Sequence, residues 1–141
     1  MTALQVESRS RAQLLRGPLA LGVAGVAVVG ALHLRDPHSS GSWGYCPFLA
    51  LTGLPCPGCG GLRAVNDLTN GDVVGALSSN LVAVLLLGSA VVVWGVWTVR
   101  RARGQAAPLL NLSLRGGLVL LAAFLVFGVF RWTPWGAWLA P

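Results

Sequence analysis

Lysine is absent from this 141-residue chain, and acids are scarce: Glu7, Asp36, Asp67 and Asp72 are all there are. Ten arginines give a formal net charge of +6, yet charged residues make up only 10% of the sequence. A soluble domain carries about 25%. So few acids leave no paired carboxylates for hydrolytic chemistry. The two histidines, His33 and His38, form no Ser/His/Asp pattern, and no Walker or dinucleotide fingerprint occurs. Cysteine is limited to Cys46, Cys56 and Cys59, an odd number that excludes complete internal disulfide pairing. The basic balance does not imply nucleic acid, because the arginines flank apolar runs rather than forming a stripe of their own.

Apolar residues are abundant, at 55%. A transmembrane helix needs about 20 of them in sequence, with a range of roughly 17 to 25. Three spans are predicted, at about 18–34, 73–99 and 116–132, in an all-α membrane fold. Residues 1–16 read as a cytoplasmic tail and 17–141 as one integral membrane domain. The first span could be mistaken for a signal peptide, but its apolar core is long and no A-x-A site follows it. Arg9, Arg11 and Arg16 precede span 1, and Arg100, Arg101, Arg103 and Arg115 lie between spans 2 and 3. The opposite side has Arg35, Arg63 and Arg131, diluted by three Asp. Positive-inside orientation then places the N-terminus inside and the 35–72 loop and C-terminus outside. Trp43, Tyr45, Trp132, Trp135 and Trp138 fit an outer aromatic belt, with Trp94 and Trp97 near the inner edge. Exclusive use of Arg points to a GC-rich genome, and the expected location is a bacterial cytoplasmic (inner) membrane.

The outer loop holds the chemistry. In "CPFLALTGLPCPGCGGLRA", residues 46–64, all three cysteines stand among prolines and glycines. Pro47, Pro55 and Pro57 break regular structure, and Gly53, Gly58, Gly60 and Gly61 permit unusual backbone angles. Phe48, Leu49, Leu51 and Leu54 are too apolar for a solvated loop, so an interfacial or re-entrant seat is expected. "GLRAVNDL" reads as a short amphipathic helix placing Arg63 and Asp67 on one face. "TNGD" reads as a turn with Asp72 as N-cap of span 2. That span is predicted as one helix of about 27 residues, roughly 40 Å long, protruding or tilted so that Ser78, Ser79 and Asn80 lie near the loop.

These residues resemble a bacterial family of small membrane proteins, domain of unknown function 2752. The resemblance rests on Cys46-Pro47, Thr52-Gly53, Cys56-Pro57-x-Cys59-Gly60, Arg63-Ala64, Gly71-Asp72 and Asn80. Leu62 stands where many members carry Thr. The resemblance implies a multi-pass fold and assigns no activity.

Four uses of the loop remain open from the residues. It can be a structural staple, by disulfide or buried thiols, on an oxidising exterior. It can bind zinc or copper through Cys46, Cys56 and Cys59, with His33, His38 or Asp67 as a fourth ligand. It can exchange disulfides through Cys56 and Cys59, with the Cys59 thiolate stabilised by the start of the following helix and Arg63, and Cys56 or Cys46 resolving. It can also recognise an anion or partner through Gly58, Gly60, Gly61 and Arg63; alternatively Arg63 simply snorkels or pairs with Asp67. His33 fits an interfacial histidine, and Asn80 can bond a helix or the loop backbone. Small residues at Ala20/Ala24 and Ala27/Ala31 allow close helix approach. The expected function is that of a small accessory, assembly or interaction protein in the bilayer, joined to a larger membrane protein and acting through this loop. A thiol–disulfide oxidoreductase or a zinc/copper protein is the alternative.

Overall fold

A computed structural model describes residues 11–39, 41–44, 46–105, 108–110 and 113–139. Among them lie five α-helices and one 3₁₀ turn, with no strand. The helices are α1 (Arg11–Leu34), α2 (Pro47–Thr52), α3 (Gly61–Thr69), α4 (Val73–Ala102) and α5 (Leu114–Phe130), and the 3₁₀ turn is Ala137–Leu139. The segments Ala12–Leu34 and Val73–Ala102 are long and apolar enough to cross a membrane, and α5 is a shorter apolar helix. Only 11% and 0% of the two apolar windows is buried by protein. Core helices of a water-soluble domain would be mostly covered, so these sides are left for another apolar medium. Of the predicted tail, residues 1–10 and Tyr45 of the predicted belt lie outside the described residues, whereas 11–16 are helical rather than irregular.

The predicted single long second helix is corrected at Asn80. There the backbone is extended (φ −167°, ψ 98°), which divides α4. Asp72 caps the first part by accepting from the Gly75 amide at 2.8 Å. Asn80 Oδ1 caps the second by accepting from the Ala83 amide at 2.9 Å. Each side chain satisfies an amide that has no intrahelical partner at a helix start. The uninterrupted part, 81–102, is about 33 Å long at 1.5 Å per residue, close to the roughly 30 Å hydrocarbon core. The break thus removes the need for the protrusion or tilt expected of one continuous helix.

Helices α1 and α4 meet through tryptophans lying on glycines. Trp94 donates from Nε1 to the Pro18 carbonyl at 2.9 Å. Its ring fills the place of a side chain at Gly22, where a Cβ would come within 2.8 Å of Cζ2; Trp97 covers Gly17. The alanine pairs expected to serve close approach are exposed instead. Helix α3 packs against α1 and α4, burying Ala64, Asn66 and Asp67. Asn66 Nδ2 donates to the Leu32 carbonyl at 2.7 Å, tying α3 to the end of α1. At the C-terminal side, Gly128 of α5 is buried against Pro57 of the cysteine loop. A Cβ there would lie 2.5 Å from the Pro57 ring.

This packing separates two glycines by consequence. Gly128→Val overpacks the α5–loop contact and is expected to lower stability by about 1–3 kcal/mol. Gly25 has nothing near its added Cβ, so Gly25→Ala is expected to be neutral or to gain up to about 1 kcal/mol from helix propensity. Thermal unfolding in detergent micelles compares them; equal midpoints for the two variants would refute the docking of α5 through Gly128.

Candidate functional site

The cysteine loop is more regular than its prolines suggest. Cys46 is extended (φ −75°, ψ 114°), and Pro47 opens α2 at the position where an amide is not needed. Gly53 ends α2 in the left-handed region (φ 71°), its amide returning to the Leu49 carbonyl at 2.9 Å. Thr52 is part of this closure: its hydroxyl donates to the Phe48 carbonyl at 2.6 Å and accepts from the Leu54 amide at 3.2 Å. Next comes a turn in which the Cys59 amide donates to the Cys56 carbonyl at 3.0 Å. Gly60 (φ 81°) then leads into α3. The helix α2 was missed in the sequence because Pro47 reads as a breaker when its position relative to the helix start is unknown.

Three side chains from distant parts of the chain satisfy the carbonyls of this turn. Trp132 Nε1 donates to Pro55 at 2.9 Å. Asn80 Nδ2 donates to Pro57 and Cys59, both at 3.0 Å. Arg131 Nη1 donates to Cys56 and Cys59 at 3.1 and 2.9 Å. Trp132 also stacks on Phe48 of α2, with centroids 6.1 Å apart and planes 9° from parallel. Arg131 and Trp132 had been read as a flanking charge and a belt anchor. Nothing in their local sequence distinguishes an arginine at a bilayer edge from one folded under a loop 75 residues away.

The seat gathers the thiols. The sulfurs of Cys46 and Cys56 are 3.4 Å apart and those of Cys56 and Cys59 3.0 Å apart. All three lie within 4.8 Å of one another. The Cys56 amide donates to the Cys59 sulfur at 3.2 Å. A cavity of about 300 Å³ opens over the cluster, with Trp43, Gly60 and Arg63 also on its wall.

Comparison with known proteins falls on the same residues. A family described as "Protein of unknown function (DUF2752)" matches 46–94. The stretch is similar to that family. It begins at the first cysteine and covers the loop, α3 and most of α4, while Arg131 and Trp132 lie beyond it. No curated protein and no solved structure matches the chain.

Other polar residues in and beside the matched segment serve to hold its shape. Asp67 does not pair with Arg63. It accepts from Ser79 Oγ at 2.9 Å and meets His38 Nε2 at 3.2 Å, while His38 Nδ1 meets Asp36 at 2.8 Å. The His38 amide and ring hold the exposed Asp36 carboxyl below its ordinary pKa. Because Asp67 stands between His38 and Ser79, this set lacks the histidine-to-serine contact that would activate a nucleophile. Arg63 instead reaches the Pro37 carbonyl at 3.4 Å. His33 shares a hydrogen bond with Thr69 at 3.0 Å. Neither histidine nor Asp67 joins the group of three sulfurs, so none supplies the fourth ligand considered from sequence. Gly71 (φ 80°) forms the turn before Asp72. The Gly61 amide is taken by the Gly58 carbonyl at 3.0 Å, which leaves little of the glycine nest imagined for an anion.

The three thiols are electrostatically unlike. The Leu49 amide, followed by the Cys56 thiol, draws the Cys46 pKa down to about 7. Burial, followed by the Cys56 thiol, pushes Cys59 up to about 12, the reverse of the stabilised Cys59 thiolate expected from the start of α3 and Arg63. In reduced, metal-free protein the Cys46 thiolate is therefore favoured over that of Cys59. Timed alkylation read by peptide mass should label Cys46 about tenfold faster than Cys59. Equal rates at the two positions would contradict this assignment.

Proposed function

We propose that this is a three-span membrane protein whose outer cysteine loop binds one thiophilic metal ion, zinc or copper, through Cys46, Cys56 and Cys59. The observation carrying the reading is the convergence of three sulfurs from two separate pieces of the loop, with Cys46 on one and Cys56 and Cys59 on the other. A disulfide requires two. Sulfurs bound to zinc at about 2.3 Å stand roughly 3.8 Å apart. The present 3.4 Å spacing needs to open by about 0.4 Å to reach that, and the 3.0 Å spacing by about 0.8 Å. The cavity over the cluster gives access to a fourth position, the arrangement of a site that exchanges or presents its ion rather than one closed for structure alone.

The membrane part of the proposal counts α5 as a third span. Its 17 residues rise about 26 Å, and polar or aromatic residues flank both ends. Arg100, Arg101, Arg103 and Arg115 between α4 and α5 argue for that side being cytoplasmic, with the cysteine loop facing out. The bacterial inner membrane fits this arrangement. In it the protein acts as an accessory or assembly factor, presenting the ion to a larger membrane protein.

The 3.0 Å separation of Cys56 and Cys59 favours a second reading, thiol–disulfide exchange with Cys46 as the attacking thiolate. One experiment divides the two. Gently purified full-length protein is weighed intact by native mass spectrometry, then alkylated with and without prior reduction. Metal binding predicts near one zinc or copper per chain, three thiols protected until a chelator is added, and loss of the ion in Cys46→Ser, Cys56→Ser or Cys59→Ser. Metal-free protein lacking the mass of two hydrogens, with one alkylated cysteine, would sink that reading; a mixed disulfide trapped after replacing the resolving cysteine would then separate exchange from a structural disulfide.

A further inference from the structure

Arg131 is only 2% exposed and is among the largest fully buried side chains of the structure. Its Nη1 holds the Cys56 and Cys59 carbonyls, Nη2 reaches the Ser79 carbonyl at 3.4 Å, and Nε has no partner. The Phe127 ring lies 5.4 Å from Cζ. Carbonyls and a ring face solvate a cation without neutralising it. The ion pairs among the described residues all belong to His38, with Asp36 and Asp67, and no carboxylate pairs with Arg131. A guanidinium does not shed its proton in a protein, and a buried charge with no opposite charge beside it is strongly unfavourable. The residues it grips are two of the three that carry the sulfurs.

We propose that Arg131 is the counter-ion of a metal–thiolate centre, which rests on the metal-binding reading above. Three thiolates around a divalent ion carry one net negative charge, and Arg131 supplies one positive charge beneath them. The sum is zero around an arginine that water does not reach. A monovalent ion would leave a negative charge uncompensated, so the arrangement suits a divalent thiophilic ion, with zinc the abundant representative. Arg131 touches the ligands' backbone and not the ion; it is a positioning residue that brings its charge along with the turn bearing Cys56 and Cys59. The unpartnered Nε and the absence of an acid then have one cause: the balancing charge belongs to the thiolates.

The test separates charge from hydrogen bonding. Zinc affinity of the full chain in detergent is measured by chelator competition for wild type, Arg131→Lys and Arg131→Gln. Lysine keeps the charge without the fork; glutamine keeps an amide donor without the charge. The counter-ion role predicts Arg131→Lys within about threefold of wild type and Arg131→Gln weaker by about tenfold or more, the scale of losing a group that supports metal ligands. Equal losses, or an unaffected Arg131→Gln, overturn the counter-ion while leaving the metal reading intact. A wild type that binds no zinc removes both. Should Arg131→Gln fail to fold, it is repeated with Cys46→Ser, Cys56→Ser and Cys59→Ser in the same chain. Folding restored in that background supports the counter-ion, because no thiolate centre remains to balance. Failure there as well assigns Arg131 to the carbonyls alone and overturns the proposal.

Discussion

Peptide carbonyls turned away from both helix and water have to be satisfied by something, and here that need organises the molecule. The turn between Cys56 and Cys59 presents carbonyls that no regular ladder can take up. Asn80 and Arg131 answer them, sharing the Cys59 carbonyl, and Trp132 takes the Pro55 carbonyl just before the turn. In an apolar setting an unsatisfied carbonyl is costly, so these three side chains determine where α4 breaks, how α5 approaches and how the loop is oriented. The gathering of sulfurs is a result of that seating. A turn held from below by its oxygens leaves its side chains to point together.

Asn80 shows how one residue serves both levels. Its amide nitrogen donates to the loop while its oxygen caps the helix that follows. Both ends of the same group are used, and the chain has to leave the helical conformation at that position to do so. The segment 73–79 and α3 consequently form one layer with the loop, tied together through Asp67, Ser79 and His38. The long apolar part of α4 begins beneath this layer. The division between a polar cap and an apolar stem follows from a single amide side chain.

Much of the fold was legible in the sequence because hydropathy and helix capping are local. The apolar runs, the Asp72 cap, the helix over Gly61–Thr69 and the concentration of chemistry at Cys46, Cys56 and Cys59 all depend on neighbours a few residues away. What escaped was set by distance or by position within an element. Pro47 reads as a breaker unless it is known to stand at the first position of α2. Arg63 and Asp67 share a face, yet each finds a better partner in the segment 36–39 or on α4. Arg131 and Trp132 carry no local mark of their role, since the turn they support lies more than 70 residues earlier.

That separation has a meaning for biosynthesis. The thiols lie between the first two long helices, while Arg131 and Trp132, which seat them, follow α5. During synthesis the loop is therefore present before its support. Three neighbouring cysteines wait, without a fixed arrangement, for a helix that has not yet left the ribosome. Arrival of α5 brings Arg131 and Trp132 together, one fixing the Cys56–Cys59 turn and the other the α2 side through Phe48. The site is complete only once α5 is in place, and a protein truncated before Arg131 would keep its motif while losing the order that gives the motif its use.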